Sequence, residues 1–145
     1  MSFSLDLSKA VQNIKADKER VIRGSLFSVS NMIIKSTPVG NPALWSSKPP
    51  SGYIGGSLRG AWNASVGLPN RNISKKVDSN GAKTVSDVSR VLSDYFSSGQ
   101  TFYLTNPLPY AQRVEFGWSK QAPAGMVRIA VNQAQREVDR LSRKI

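Results

Sequence analysis

Apolar residues form one continuous stripe through the first quarter of the chain. They are Leu7, Val11, Ile14, Val21, Leu26, Val29 and Ile33. This 3.6-residue period predicts one long helix, with Ser4 or Asp6 capping its start and Pro38 forcing its end. An unbroken helix of this span is about 45 Å long, and Gly24 is the candidate position for a bend or a break. Because so long a rod is unusual in a small domain, we expect it to pack against another subunit as well as its own core.

A loop rich in proline and glycine follows at about residues 38–57. Its breakers are Pro38, Gly40, Pro42, Pro49, Pro50, Gly52, Gly55 and Gly56. Loops of this length tend to be functional or disordered, and this one carries two large apolar groups, Trp45 and Tyr53. Two interpretations are open. The loop folds back onto its own domain, or Trp45 and Tyr53 insert into a neighbouring subunit as anchors.

The middle of the chain alternates between short strand and helix signals. Residues 58–67 alternate like a half-buried strand, and residues 72–77 are a candidate second strand of a hairpin. Thr84 is expected to cap a helix that ends at residues 97–99. A short strand at 101–106 and a helical turn or two at 109–116 complete this region.

The last segment has a narrow apolar seam at helical spacing. Its members are Val127, Val131, Ala134, Val138, Leu141 and Ile145. Pro123 suits the first turn of such a helix. The pattern as a whole predicts one α+β domain over residues 1–145, with a long N-terminal helix, a small antiparallel sheet, and a middle and a C-terminal helix packed on that sheet.

Composition narrows the chemistry that this domain can perform. The 145 residues include no Cys and no His, which excludes disulfides, thiolate catalysis, Ser-His-Asp triads and nearly all zinc chemistry. The nine acidic residues are scattered along the chain. No apolar run is long enough to span a bilayer, and the N-terminus lacks the pattern of a signal peptide. We therefore expect no catalytic residues, no metal, no cofactor and no membrane partner.

The charge points to an anionic partner. Twenty Lys and Arg against nine Asp and Glu leave a net charge of +11, which suggests nucleic acid or simply a basic solvated surface. No helix-turn-helix, zinc module or aromatic-rich sheet motif accompanies the charge. Four cations cluster around a predicted turn and are our candidates for contact with a DNA channel or a partner protein: Arg71, Lys75, Lys76 and Lys83.

Three motifs follow one another in the second and later parts of the chain. They are TPV (37–39) followed by GGSLRGAW (55–62), NPLPYA (106–111) running into VEFG (114–117), and QAPAGMVR (121–128). Their order and spacing resemble those of the neck, or tail-component, family of tailed bacteriophages. The resemblance extends from about Val29 to the C-terminus. The chain departs from the family pattern by a longer insert, residues 40–54, between the first two motifs.

The resemblance implies a structural protein of the head–tail junction of the virion. It implies a ring of identical subunits, a hexamer in preference to a dodecamer, that surrounds the DNA channel without reading sequence. The implied neighbours are head-completion or connector proteins on one side and tail-terminator or tail-tube proteins on the other. Such a protein is made in the host cytoplasm and resides in the virion neck. A different class is the alternative: a non-sequence-specific nucleic-acid-binding domain or a tail-assembly chaperone.

Two charged residues lie inside the matching motifs. Arg59 and Glu115 are candidates for a shared ion pair, within one chain or between subunits, although Arg113 and Arg128 are also possible partners of Glu115. Gly117 is expected to close the turn after them as a left-handed cap.

Overall fold

The computed structural model describes residues 3–41, 43, 48–49, 51–95 and 100–144. The elements, in chain order, are α1 (Phe3–Ser36), α2 (Ser57–Gly60), β1 (Asn63–Val66), α3 (Ala82–Ser93), β2 (Phe102–Thr105), α4 (Ala111–Glu115) and α5 (Val127–Ser142). The predicted class is confirmed: the chain is a mostly helical α+β domain with a long first helix and one two-stranded antiparallel sheet.

The long helix is continuous through Gly24. A methyl group at this position would lie 3.0 Å from Leu141, so the glycine lets α5 approach α1 closely. The helix already includes Ser4 and Asp6, so the prediction that one of them caps its start is wrong. Pro38 follows two residues after its end, as predicted.

The helices α1 and α5 pack antiparallel. Ser36 Oγ donates to the Met126 carbonyl (3.3 Å) near one end, and Ser28 Oγ donates to a Glu137 carboxylate oxygen (2.6 Å) further along. The end of α5, at Leu141, lies opposite Gly24. The first turns of α1 therefore extend beyond the end of α5.

The sheet pairs β1 with β2. Asn63 lies opposite Thr105 and Val66 opposite Phe102. The predicted strand at 58–67 is therefore too long, because residues 57–60 form a helical turn, and the predicted hairpin with residues 72–77 is wrong. That stretch is irregular in structure, and the chain that leads into it passes the start of β1, where the Asn63 side chain donates to the carbonyls of Asn70 (3.1 Å) and Asn72 (2.8 Å).

Two helix starts also differ from the prediction. The helix α3 begins at Ala82, after Gly81 in a left-handed conformation, and Thr84 lies buried in its first turn instead of capping it. The helix α5 begins at Val127, so Pro123 lies in the preceding turn. The helix α3 ends at Ser93, and residues 97–99, the predicted end, lie outside the described residues. Helix α4 confirms the predicted turns, and Gly117 (φ 89°) is the predicted left-handed residue after them.

The core lies between the second half of α1, α3, the sheet and the start of α5. Its buried apolar members are Ile33, Ile34, Leu58, Trp62, Val88, Leu92, Tyr95, Ala111, Met126 and Ala130. The predicted seam of α5 is only partly correct. Val127, Ala134 and Leu141 are half-buried, whereas Val131 and Val138 are exposed, because the buried face of this helix is centred on Ala130.

Candidate functional site

The segments that carry the resemblance meet at the C-terminal end of α1. Thr37 is fully buried there. Its hydroxyl donates to the carbonyl of Ile33 (2.7 Å) and accepts a hydrogen bond from the indole nitrogen of Trp62 (2.8 Å). The threonine thereby ties the end of the helix to the residue that precedes β1. We call the group formed by Thr37, Arg59, Trp62, Asn106 and Glu115 with their partners the motif junction.

Arg59 covers the last carbonyl groups of α1. Its Nε and Nη2 donate to the Thr37 carbonyl (3.0 and 2.7 Å), and Nη2 also donates to the Lys35 carbonyl (3.0 Å). Its Nη1 donates to the carbonyl of Ser79. Burial lowers the pKa of Arg59, while the charge of Asp78 opposes that shift. A cation at this position satisfies carbonyls that a helix end leaves unpaired and interacts favourably with the helix dipole.

Two motif glycines let a second segment lie against α2. Gly56 has φ 117°, and a side chain there would approach Ser79 N to 2.7 Å. A methyl group on Gly60 would lie 2.4 Å from the carbonyl oxygen of Lys76. The backbone of residues 76–79 therefore passes too close to α2 for any residue larger than glycine at these two positions.

Asp78 caps the start of α3 from this segment. One of its carboxylate oxygens accepts hydrogen bonds from Thr84 N and Thr84 Oγ1, both 2.7 Å long. Burial alone would raise the pKa of Asp78, but hydrogen bonds from Thr84 and Lys83 and the charge of Lys76 outweigh this and leave it lowered.

The remaining motifs are joined to the same region. The Asn106 side-chain amide donates to the Leu58 carbonyl (2.9 Å), which connects the segment before α4 to α2. Ser36, at the end of α1, donates to the carbonyl of Met126. The first two segments are thus linked by a direct hydrogen bond between members 48 residues apart, and the third segment is bound to the end of α1, next to the first.

Glu115 caps the last helix. Its Oε2 accepts from the backbone nitrogens of Met126 (2.6 Å) and Val127 (2.8 Å), and its Oε1 accepts from Arg128 N (3.0 Å) and Arg128 Nε (3.1 Å). Burial raises the pKa of Glu115, but the backbone hydrogen bonds and the Arg128 side chain outweigh it, so the net pKa lies below its usual range. Gly125 (φ 88°) makes this approach possible, because a methyl group there would lie 2.4 Å from the Glu115 carbonyl oxygen.

The predicted ion pair between Arg59 and Glu115 is wrong within one chain. Arg59 binds carbonyls at the end of α1, and the cation paired with Glu115 is Arg128. Both side chains already make hydrogen bonds to backbone groups at helix ends. Helix capping is therefore a sufficient reason for a charged residue at each of these two motif positions. Their contact with a neighbouring subunit stays a prediction.

The loop residue Tyr53 folds back onto its own domain. It is half-buried and lines a cleft of about 400 Å³ with Pro38, Leu58, Tyr110 and Val114 among others. Burial, with a smaller contribution from Tyr53, raises the pKa of Tyr110. The structure therefore supports the first of the two interpretations for Tyr53, whereas Trp45 lies outside the described residues.

The four predicted basic residues do not share one environment. Arg71, Lys75 and Lys83 are exposed. Lys76 is partly buried and pairs with Asp87 (2.7 Å), which also binds Arg90. Of these four residues, Arg71, Lys75 and Lys83 can therefore meet a phosphate or an acidic neighbour without breaking an ion pair seen among the described residues.

Two exposed surfaces were not identified as candidate sites from the sequence. Phe116 and Trp118 flank Gly117 on the surface, with the guanidinium groups of Arg128 and Arg113 lying 5.3 and 5.0 Å from their ring centres. The sequence signal that could have indicated this surface is the pair of aromatic residues on either side of a turn glycine. The second surface is the beginning of α1, where every side chain from residue 7 to residue 16 is exposed.

Among the described residues, no group of three acidic side chains is arranged to hold a metal ion, and no helix is long and apolar enough to cross a membrane.

Comparisons with known proteins found no relative of this chain. No family model matches the chain, and no match was found among curated proteins or among solved structures.

Proposed function

We propose that this chain is a structural subunit of the head–tail junction of a tailed bacteriophage, where it forms a ring between the connector and the tail. The observation that carries the proposal is the motif junction. The segments that resemble the neck family are distant in sequence, yet they form one hydrogen-bonded unit. Residues of a family pattern are expected to contact one another in the folded chain when the pattern specifies a shared fold.

The chemistry of the motif junction agrees with a structural role. Its charged residues, Arg59 and Glu115, bind backbone groups at two helix ends, where they fix the end of α1 against the start of α5. The proposed role includes no catalytic step and no cofactor. It needs surfaces that meet other subunits, and the exposed apolar start of α1 is one of them.

The charge also fits the proposal. Arg71, Lys75 and Lys83 are exposed on one stretch of the chain. Cations of this kind bind phosphates without reading bases. In a ring through which DNA passes, they would face the channel or the acidic surface of a neighbouring protein. The proposed partners are further copies of the chain, in a hexamer or a dodecamer, and the connector and tail proteins of the same virion.

Size-exclusion chromatography with light scattering, with and without duplex DNA, tests the proposal. At physiological salt we expect a closed oligomer of one mass that binds DNA weakly. A monomer that binds duplex DNA tightly would contradict the proposal and favour the free nucleic-acid-binding domain. A protein required for tail formation but absent from finished virions would favour the assembly chaperone.

A further inference from the structure

Two large aromatic side chains lie exposed on one turn beside the motif junction. Phe116 and Trp118 are 63% and 74% exposed. They flank Gly117, whose φ of 89° turns the chain after α4. We call residues 116–118 the aromatic turn. Apolar groups that lie together on a surface mark binding sites, whereas single ones are common everywhere, so this pair is a candidate binding surface.

Each ring carries a guanidinium group on one face. The guanidinium carbon of Arg113 lies 5.0 Å from the ring centre of Trp118, and that of Arg128 lies 5.3 Å from the ring centre of Phe116. These distances are those of cation–π contacts. Because each ring is mostly exposed, its second face is open to a flat partner. Both arginines are themselves exposed, so they can also meet an anion.

The segments around the aromatic turn carry cations with almost no acidic residues. The sequence has no acid between Glu19 and Asp78, and only Glu115 between Asp94 and Glu137. Asp78 is 3% exposed and bound to the start of α3. Glu115 accepts hydrogen bonds from three backbone nitrogens of the turn into α5. Both carboxylates at this end of the domain therefore cap helices, and the surface itself is basic.

A groove of about 630 Å³ adjoins the aromatic turn. It lies between the end of α1 and residues 121–125, and the charged side chains that line it, among the described residues, are Lys35 and Arg59. The partners of these two cations there are neutral carbonyl groups. Pro123 also lines the groove, and its carbonyl oxygen is 2.9 Å from the position of a methyl group on Gly117. Exposed rings next to a positively charged groove are typical of single-strand binding sites.

We propose that the aromatic turn and this groove bind single-stranded nucleic acid. An acidic peptide satisfies the charge but supplies few flat rings, and a duplex keeps the faces of its bases stacked inside. A single strand offers both phosphates and open base faces. A base stacks on the open face of Phe116 or Trp118, while the exposed arginines contact the phosphates of the same short stretch.

The geometry limits what this site reads. The two rings are two residues apart in the chain, so their Cα atoms are at most about 7 Å apart and one short stretch of a strand can reach both. Contacts through stacking and phosphates accept any base, so we expect no sequence preference. This inference goes beyond the proposed ring and does not depend on it.

Fluorescence anisotropy with three labelled probes of about 20 units tests the proposal on the whole chain. The probes are oligothymidylate, the same phosphodiester backbone built from abasic sites, and a duplex of equal length. Removing the bases leaves the phosphates in place, so the comparison isolates stacking. We expect oligothymidylate to bind at least about fivefold more tightly than the abasic strand, since stacking of one base on an aromatic side chain has this magnitude.

Three substitutions separate stacking from charge. Trp118→Ala should weaken oligothymidylate binding about fivefold or more and leave the abasic strand unaffected, while Trp118→Phe retains most of the binding. Arg113→Gln should lower the log–log salt slope by about 0.7 for both single strands. Leu68→Ala, which truncates another large residue that is 79% exposed, is the matched control and should bind like the unmodified protein. All three positions are exposed, so the circular dichroism spectrum should not change.

Several results overturn the proposal. They are an abasic strand that binds as tightly as oligothymidylate, a duplex that binds more tightly than either, and a Trp118→Ala protein that binds like the unmodified one. Polyglutamate that competes as well as oligothymidylate of equal charge indicates an acidic protein as the partner and also overturns it.

Light scattering on the same samples separates this outcome from the neck assignment. A closed ring with no preference for single strands overturns the single-strand site and leaves the virion role intact. A chain that prefers single strands but forms no ring supports the site and contradicts the neck assignment.

Discussion

Replacing Glu115 with Gln removes the charge that holds the first turn of α5. The carboxylate accepts hydrogen bonds from three consecutive backbone nitrogens, those of Met126, Val127 and Arg128. A glutamine side chain has one oxygen and a donating amide in place of the second oxygen. Whichever way the amide is turned, some of these nitrogens lose their acceptor and face a donor.

The expected loss of stability is about 2–3 kcal/mol. Loss of an N-cap acceptor alone costs ~0.5–2 kcal/mol, and a donor left buried without a partner costs ~1–3 kcal/mol. The contact with the Arg128 side chain adds little, since that side chain is half exposed and exposed ion pairs contribute ~0–1 kcal/mol. For a chain of this length the loss corresponds to a melting temperature lower by about 10 °C.

Thermal unfolding of Glu115→Gln beside Arg128→Ala checks this reasoning. The second variant removes the guanidinium group, with its hydrogen bond to the Glu115 carbonyl, but keeps the hydrogen bonds from the three backbone nitrogens, so it should lower the melting temperature by about 4 °C or less. Equal small effects of both variants would refute the helix-capping role of Glu115.

The pKa of Glu115 is lowered in the folded state. Its contribution is therefore complete above its unfolded pKa of about 4.3 and is lost as the pH falls through the folded value.

Three further changes test other parts of the structure. Thr37→Val leaves the buried Trp62 N–H without an acceptor and should reduce the free energy of unfolding by ~1–3 kcal/mol, measured in urea. Gly60→Ala forces a methyl group against the Lys76 carbonyl and should lower the melting temperature or prevent folding. Lys75→Ala should reduce the salt dependence of duplex DNA binding by about 0.9 in the log–log slope, and Lys76→Ala by clearly less, because Lys76 is ion-paired with Asp87.

Two of these changes have a control within the chain, Gly67→Ala for Gly60→Ala and Lys76→Ala for Lys75→Ala. Gly67 has φ 88° with nothing within 4 Å of an added methyl group, so Gly67→Ala should cost only backbone strain of about 1 kcal/mol. A Gly60→Ala protein at least as stable as Gly67→Ala would contradict the close packing of residues 76–79. Unchanged stability of Thr37→Val would contradict the hydrogen bond to Trp62. Equal salt slopes for the two lysine variants would contradict their different environments.

Regular elements with a sustained period could be predicted from the sequence. The stripe of α1 continues over many turns, and its period predicted one long helix, with a bend or a break at Gly24 left open; the helix is continuous there. The same period does not reveal which half of the helix packs on the domain, because packing depends on where α5 ends. For this reason the exposure of the beginning of α1 was not foreseen, although a contact with another subunit was expected.

Short elements were harder to predict because their partners are distant. Residues 58–67 alternate in polarity, yet their first part is a helical turn whose glycines accept the backbone of residues 76–79. The true partner of β1 is β2, about 40 residues further on. A local turn signal favoured a hairpin with residues 72–77, and nothing in a single sequence shows that the more distant strand pairs instead.

Candidate residues were found more readily than their roles. Arg59 and Glu115 were identified from the motifs, and both lie in the motif junction. Their partners are mainly backbone groups, which have no identity in a sequence, so pairing the two charges with each other was the natural but wrong hypothesis. Which of the four predicted basic residues is ion-paired likewise depends on Asp87, which contacts Lys76 only in the folded chain.

A cryo-electron microscopy map of intact virions that carry this chain tests the central claim most directly. The account predicts a ring of density between the connector and the tail into which the described fold fits, with its basic residues 71–83 toward DNA or an acidic neighbour and α1 contacting the next copy. Virions whose neck is fully explained by other proteins, with this chain absent, would contradict it.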